Sequence, residues 1–144
     1  MQVSYSAESV LDSTLPRNDL RVLLVYPNTR DVAMANLGFQ QVYSLLNKIE
    51  GVICDRFAMP VGWKPETQYL EREELRSMDL QMHPLEFDVI AFSISFEPDY
   101  LNTVLALKYF GIPVDRKERD SSFPMISAGG SAIFINPEPL AECM

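Results

Sequence analysis

Apolar residues in this chain follow two alternating patterns, short continuous runs and longer stretches with three- and four-residue spacing. Continuous runs of apolar and β-branched residues are typical of strands covered on both faces, whereas the wider spacing is typical of amphipathic helices. The third run is the most apolar and is expected inside the sheet, and the more mixed second run is expected near an edge. The four predicted strands are Arg21–Tyr26, Val52–Ala58, Phe87–Phe96 and Phe123–Ala128.

Helix signals lie between these runs. Asn36 is a candidate N-cap for the first helix and Gly51 its expected stop, while Asp99 and Gly111 are expected to cap and end a later helix. The first helix is predicted to bury Phe39, Val42, Leu45, Leu46 and Ile49, and the later one Tyr100, Leu101, Val104, Leu105 and Leu107. The predicted helices are a first one that begins after Asn36 at an undefined residue and runs to Glu50, a charged and solvent-facing Glu71–Leu80, Tyr100–Phe110, and Ser131–Ile135 as helix or turn.

Strand and helix thus alternate four times, which predicts an α/β doubly wound parallel sheet of the Rossmann-like or flavodoxin-like kind. We divide the chain into a lead-in, residues 1–20, and one domain, residues 21–144. A flavodoxin-like sheet has five strands in the order 2-1-3-4-5, so we expect a domain cut before its fifth strand. A natural four-stranded domain is the alternative. An open sheet edge would favour self-association.

Composition and net charge argue against some classes of function. The 144 residues are 47% hydrophobic and 22% charged, as in a globular domain, and the net charge of −8 argues against nucleic-acid and anionic-membrane surfaces. No apolar run approaches the roughly 20 residues that span a bilayer, and we expect a cytoplasmic protein. Cys54 and Cys143 form no metal or disulfide framework, and Cys54 is expected to be buried in its strand.

Small and polar residues follow three of the predicted strands. In open α/β sheets ligands bind at the carboxyl ends of the strands, where glycines let a ligand approach the backbone and hydroxyl and amide groups supply hydrogen bonds. The alternative is that these residues only form tight strand-to-helix turns. The candidate ligand-binding residues are Asn28 and Thr29 after the first strand, Ser93 and Ser95 after the third, and Gly129 and Gly130 after the fourth.

Signals for catalysis are weak. His83 precedes a proline and is expected on the surface, and Trp63 is expected to close a loop over the core. Asp99 is explained as a helix cap, and no pair of carboxylates suits acid–base work. Neither a nucleophile elbow nor a phosphate-binding glycine motif occurs. We predict no catalytic residue and no metal ligand in these residues.

Five segments of the chain form a recognisable set when taken together. They are Arg21–Asn28, Met34–Gln40, Phe87–Glu97, Ala128–Gly130 and Asn136–Leu140, and their most specific parts are the Asn-Leu-Gly-Phe-Gln and Asn-Pro-Glu-Pro-Leu stretches. This set resembles the N-terminal domain of radical S-adenosylmethionine (SAM) proteins of the B12-binding-domain type. The resemblance covers the chain from Arg21 onward.

In that family a cobalamin-binding-like Rossmann domain precedes a radical barrel with a Cys-x3-Cys-x2-Cys motif. That cysteine triad is missing from this sequence. The resemblance therefore implies that the 4Fe–4S cluster and SAM belong to a downstream catalytic domain of the same chain, which is the expected partner. By itself this domain is expected to be catalytically inert.

The resemblance also implies cobalamin as a cofactor, with one departure. Classical B12-binding proteins carry Asp-x-His-x-x-Gly after the first strand, and here Asn28–Met34 contains no histidine. The serine pair Ser93 and Ser95 and the pair Gly129 and Gly130 match, and by analogy line the nucleotide-tail side of the crevice. A histidine-free binding mode and a vestigial domain that only packs on the barrel both stay open. The alternative from another class is a non-catalytic flavodoxin-like binding or interaction module.

Overall fold

The computed structural model describes residues 19–66 and 70–144, so the predicted lead-in lies, up to residue 18, outside the described residues. Within them, four strands form one parallel sheet in the order β2-β1-β3-β4. The predicted α/β doubly wound class is confirmed, with β3 inside the sheet and β2 at an edge. The strands are Leu20–Thr29 (β1), Val52–Met59 (β2), Val89–Ser93 (β3) and Met125–Gly129 (β4), and the helices Arg30–Ala35 (α1), Leu37–Leu46 (α2), Asp99–Phe110 (α3) and Ser131–Ile135 (α4).

Two apolar layers cover the sheet. Successive residues of a strand point to opposite faces, so β1 gives Val22 and Leu24 to one layer and Leu23 and Val25 to the other. The first layer contains Phe39 of α2, and the second contains residues of α3. The helices that follow β1 and β3 therefore lie on opposite faces, as the doubly wound fold requires.

The end of β1 differs from the prediction, because the strand continues past Tyr26 through Pro27 and Asn28 to Thr29. Its pairing with β2 shifts register between Tyr26 and Thr29. A proline has no N–H to donate to the ladder, and the irregular register accommodates it. The polar residues Asn28 and Thr29 are thereby held on the strand rather than in a free loop.

The predicted N-cap of α2 is confirmed, but the predicted C-terminal end of the helix is wrong. The Asn36 side chain accepts a hydrogen bond from the Phe39 N–H at 2.9 Å, but the helix ends at Leu46, and Gly51 lies in the turn before β2. The buried face is also different from the prediction. Tyr43 packs against the core with Phe39 and Leu46, whereas Val42, Leu45 and Ile49 are exposed.

The prediction for Asp99 was wrong. Pro98 is the N-cap of α3, and Asp99 is the first helical residue, with its side chain buried. Gly111 ends the helix in the left-handed conformation as expected, with a φ of 76°. The buried face of α3 is centred on Thr103, Ala106, Leu107 and Phe110, while Leu101 is exposed.

The segment Glu71–Leu80 is not the predicted charged helix. Only Arg72–Glu74 forms a short 3-10 helix, and a loop follows. Asp55 of β2 organises this loop, since its fully buried carboxylate accepts hydrogen bonds from the N–H groups of Asp79 and Leu80 at 2.7–3.2 Å. Asp55 lies on β2, far from this loop in sequence, so the sequence of the loop alone does not reveal what organises it.

Three single-residue predictions are tested by burial. Trp63 is buried in the layer on the α3 side, and Cys54 is buried in the other layer, as predicted. His83 is not a surface residue, because it is only 9% exposed and begins the 3-10 helix Pro84–Glu86. Its Nδ1 accepts a hydrogen bond from the Leu85 N–H at 3.2 Å, a contact that favours burial.

Candidate ligand-binding crevice

The crevice opens where β1 and β3 run side by side and their helices leave on opposite faces. All six predicted residues lie at this carboxyl edge of the sheet. Asn28 and Thr29 end β1, Ser93 ends β3, and Gly129 ends β4, where Ser93 and Gly129 are register partners. The structure thus brings the predicted residues to one edge, and their role in ligand binding stays a prediction.

Asn28 ties β1 to α3 rather than pointing freely into the crevice. Its amide Nδ2 donates to Asp99 Oδ1 at 2.9 Å, and its Oδ1 accepts from the Thr29 N–H at 2.8 Å. Asn102 donates a second hydrogen bond to Asp99 Oδ1 at 3.1 Å. Asn28 therefore fixes the distance between the two sides of the crevice.

Asp99 is the most unusual group at this edge. It is 2% exposed, and its Oδ2 has no hydrogen-bond partner among the described residues. Burial raises the pKa of the Asp99 carboxyl, and the hydrogen bonds from Asn28 and Asn102 act in the opposite direction. Sequence reasoning missed this role, because an aspartate directly before a helix is typical of a cap.

Asn36 is a second residue of the crevice that the sequence did not identify. Besides capping α2, its Nδ2 lies 3.3 Å from Ser95 Oγ and 3.4 Å from the Tyr26 hydroxyl. One side chain therefore connects the ends of β1 and β3 with the start of α2. The Asn-Leu-Gly-Phe-Gln stretch was a signal for the residue, but only for its capping role.

The two serines differ in their freedom to bind a ligand. The Ser95 Oγ already accepts a hydrogen bond from Asn36 Nδ2 at 3.3 Å, and the Ser95 carbonyl accepts one from the Ser131 hydroxyl at 3.1 Å. The half-buried Ser93 hydroxyl has no hydrogen-bond partner in the described part of the chain. Ser93 is thus the free hydroxyl of the pair.

The two glycines are there for different physical reasons. A Cβ placed on Gly130 would lie 2.3 Å from the Ile94 carbonyl oxygen, and its φ is +109°, so the turn itself requires glycine. A Cβ on Gly129 would meet nothing within 4 Å. Gly129 therefore leaves open space beside Ser93, and no packing contact explains its lack of a side chain.

Large apolar side chains are exposed in the segments that follow β3 and β4. Phe96 is 60% exposed, and Phe134 and Ile135 of α4 are 92% and 77% exposed. The Tyr100 hydroxyl holds α4 in place through the carbonyls of Ala132 and Asn136, at 2.9 and 2.6 Å. These exposed side chains thus follow the carboxyl ends of β3 and β4, and Phe134 and Ile135 lie on a helix that Tyr100 holds in place.

Comparison with protein families decides what kind of domain this is. The sequence profile of the family described as "Radical SAM proteins, N-terminal" matches residues 38–144. The chain belongs to this family. No curated protein and no solved structure matches it.

The match to the radical SAM N-terminal family includes Ser93, Ser95, Gly129 and Gly130, whereas Asn28 and Thr29 precede the matched residues. Residues 19–66 and 70–144 of this radical SAM N-terminal domain contain no group of three or more His, Cys, Asp or Glu side chains that could hold a metal ion. Nor does any helix in those ranges combine the length and apolarity needed to cross a membrane.

His83 lies in the segment before β3, at the amino end of that strand, whereas the crevice of this radical SAM N-terminal domain is at the carboxyl ends of the strands. Burial and the neighbouring Arg72 and Arg76 lower its pKa, so the imidazole is neutral at neutral pH. Its Nδ1 is already occupied by the Leu85 N–H. The arrangement at the crevice is thus suited to binding through hydroxyl and backbone groups rather than through a histidine.

Proposed function

We propose that this chain is the N-terminal, cobalamin-binding-like domain of a radical SAM enzyme of unknown substrate. Membership of the radical SAM N-terminal family carries the proposal. These 144 residues contain no Cys-x3-Cys-x2-Cys motif, so the 4Fe–4S cluster and SAM belong to a separate catalytic domain of the same protein. The domain's own proposed contribution is to bind and position a ligand.

The crevice suits the nucleotide tail of a corrinoid. The Ser93 hydroxyl is free to form a hydrogen bond, and the open space beside Gly129 lets a bulky group reach the backbone. A corrinoid bound here would lack a histidine ligand from the loop after β1. When bound, the group would supply a cobalt centre next to the catalytic domain.

The catalytic domain is the proposed partner for the mouth of the crevice. Phe96, Phe134 and Ile135 expose large apolar surface on that side, and such surface usually marks an interaction site. A domain that covers these side chains would also exclude water from a ligand held by Ser93 and Gly129. The substrate is then expected to lie between the two domains.

Absorption spectroscopy tests cobalamin binding directly. Titration with the 144-residue protein and with the full-length protein is expected to change the spectrum of added cobalamin. Gly129→Val puts a side chain into the open space, where its Cβ meets nothing within 4 Å, so it is expected to weaken binding at least tenfold while the fold persists. Met125→Val, at the other end of the same strand, is the matched control and is expected to bind normally.

One result would refute the cobalamin assignment. If both proteins at high excess leave the spectrum unchanged, the domain is a structural or substrate-presenting partner of the catalytic domain. Uptake of a flavin instead would favour the flavodoxin-like binding module.

A further inference from the structure

The outer edge of β2 is closed. The Asn47 side chain binds both the N–H and the C=O of Cys54, at 2.9 and 3.0 Å. The Arg56 N–H donates to the Asp55 carboxylate at 2.7 Å, and the Arg56 C=O accepts from the Met78 N–H at 2.8 Å. With these groups occupied, no further strand can pair with the Cys54 and Arg56 positions of β2.

The outer edge of β4 is open. The Met125 N–H donates to the Asp88 carbonyl at 2.9 Å, so Met125 faces β3. Because backbone groups alternate in direction along a strand, Ile126 and Ala128 turn their N–H and C=O groups away from β3. Among residues 19–66 and 70–144, no strand pairs with that side of β4.

Within β4 itself no charged residue or proline protects this edge, although Pro124 directly precedes the strand. Exposed edge strands usually carry charges or a proline that discourage pairing, but Met125–Gly129 contains neither. Met125 is 64% exposed. One edge of the sheet is thus blocked by specific contacts, and the other has the features of a strand that normally has a neighbour.

The path of the chain after β4 indicates where that neighbour begins. Arg119, in the loop before β4, donates to the carbonyls of Val114 and Cys143, and the Arg116 N–H donates to the Glu142 carbonyl at 2.9 Å. Leu140 and Cys143 are buried in the layer on the α3 side. The chain has therefore crossed from the carboxyl end of β4 back to its amino end.

We propose that the open edge of β4 binds a fifth, parallel strand formed by the polypeptide that follows Met144 in the full-length protein. The crossover through α4 and Leu140 is the connection that such a strand needs, because parallel neighbours are joined from the end of one to the start of the next. The inference rests on the proposed function, in which this domain continues into a catalytic domain.

Amide hydrogen exchange tests the proposal in the 144-residue protein and in a chain extended through the following residues of its gene. The Ile126 and Ala128 amides are expected to exchange rapidly in the shorter protein and at least about a hundredfold more slowly in the longer one. The Ser127 amide faces β3 and is an internal control, expected to be protected in both. Rapid exchange of Ile126 and Ala128 in the extended chain overturns the proposal.

Proline substitutions provide a second measurement. Ala128→Pro removes an outward N–H and constrains the backbone equally in both proteins, so the lost bond to a fifth strand is expected to lower the unfolding midpoint of the extended protein much more than that of the shorter one. Ser127→Pro removes a bond to β3 and is expected to destabilise both. An equal effect of Ala128→Pro on the two proteins contradicts the fifth strand.

Other outcomes separate this inference from the proposed function. Protection of Ile126 and Ala128 that grows with the concentration of the 144-residue protein would show a second copy at the edge, and would overturn the proposal. A cysteine triad in the extended chain together with unprotected edge amides would refute the fifth strand and leave the proposed function standing. Protected edge amides without a downstream cysteine triad would support the fifth strand and refute the proposal that the protein is a radical SAM enzyme.

Discussion

Asn28 and Asp99 are joined by a hydrogen bond of 2.9 Å from the asparagine amide to the buried carboxylate, which connects the end of β1 with the first turn of α3. These two elements form opposite sides of the crevice. The bond is made between residues far apart in sequence and, together with the bond from the Thr29 N–H to Asn28 Oδ1, determines which way the Asn28 amide points. The stability of the fold and the shape of the crevice therefore depend on the same contact.

Replacing Asn28 tests the strength of that contact. Asn28→Ala leaves a buried carboxylate with Asn102 as its remaining donor, so the free energy of unfolding is expected to fall by about 1–3 kcal/mol. Gln41→Ala, an exposed substitution on α2, is the control and is expected to change it by less than about 0.5 kcal/mol. Equal effects of the two substitutions in urea denaturation would contradict the prediction.

The raised pKa of Asp99 leads us to expect that the stability of the fold depends on pH. Because its pKa is raised in the folded state, the folded protein holds the proton more tightly than the unfolded chain. The stability of the wild type relative to Asp99→Asn is therefore greatest below the ordinary value of 3.8 and decreases as the pH rises through the raised pKa. Denaturant unfolding of both proteins over a pH series measures this difference, and a constant or increasing difference would refute it.

The adjacent glycines at the end of β4 form a matched pair. Gly130→Ala places a Cβ against the Ile94 carbonyl at a positive φ, and is expected to cost at least about 2 kcal/mol. Gly129→Ala meets nothing and is expected to change stability by less than about 0.5 kcal/mol. Thermal unfolding of the two variants distinguishes them, and a similar loss in both would show that Gly129 is also fixed by the backbone.

Asn36 combines two roles that substitutions can separate. Asn36→Ala removes the cap of α2 and is expected to cost about 1 kcal/mol. Asn36→Asp keeps an oxygen for the Phe39 N–H but loses the donor near Ser95, so it is expected to preserve the protection of the Phe39 amide. Hydrogen exchange at Phe39 is the measurement. Loss of protection in both variants would mean that the contact with Ser95 also holds the helix.

The parts of the fold that depend on local pattern were predicted from the sequence. The apolar runs identified all four strands, and their alternation with helices indicated the strand order that is observed. Gly111 and Asn36 were recognised because caps act within a few residues of themselves.

The errors occurred where distant residues decide the structure. The apolar spacing on α2 predicted that Val42 and Leu45 would face the sheet, but the helix turns Tyr43 towards the sheet instead. The Tyr43 ring also lies 4.0 Å from the Arg56 guanidinium. His83 is buried by segments that its neighbours in sequence do not reveal. The free Ser93 hydroxyl and the orphaned Asp99 oxygen likewise follow from packing alone.

The closed edge of β2 has a consequence for the order of folding. Asn47, Asp55 and Met78, the residues that block it, all precede β3 in the chain, so this edge can be sealed before β3 joins the sheet. β3 then finds only one side of the growing sheet available, the side of β1. The blocked edge thereby prevents β3 from pairing with β2 instead of β1 while the chain folds.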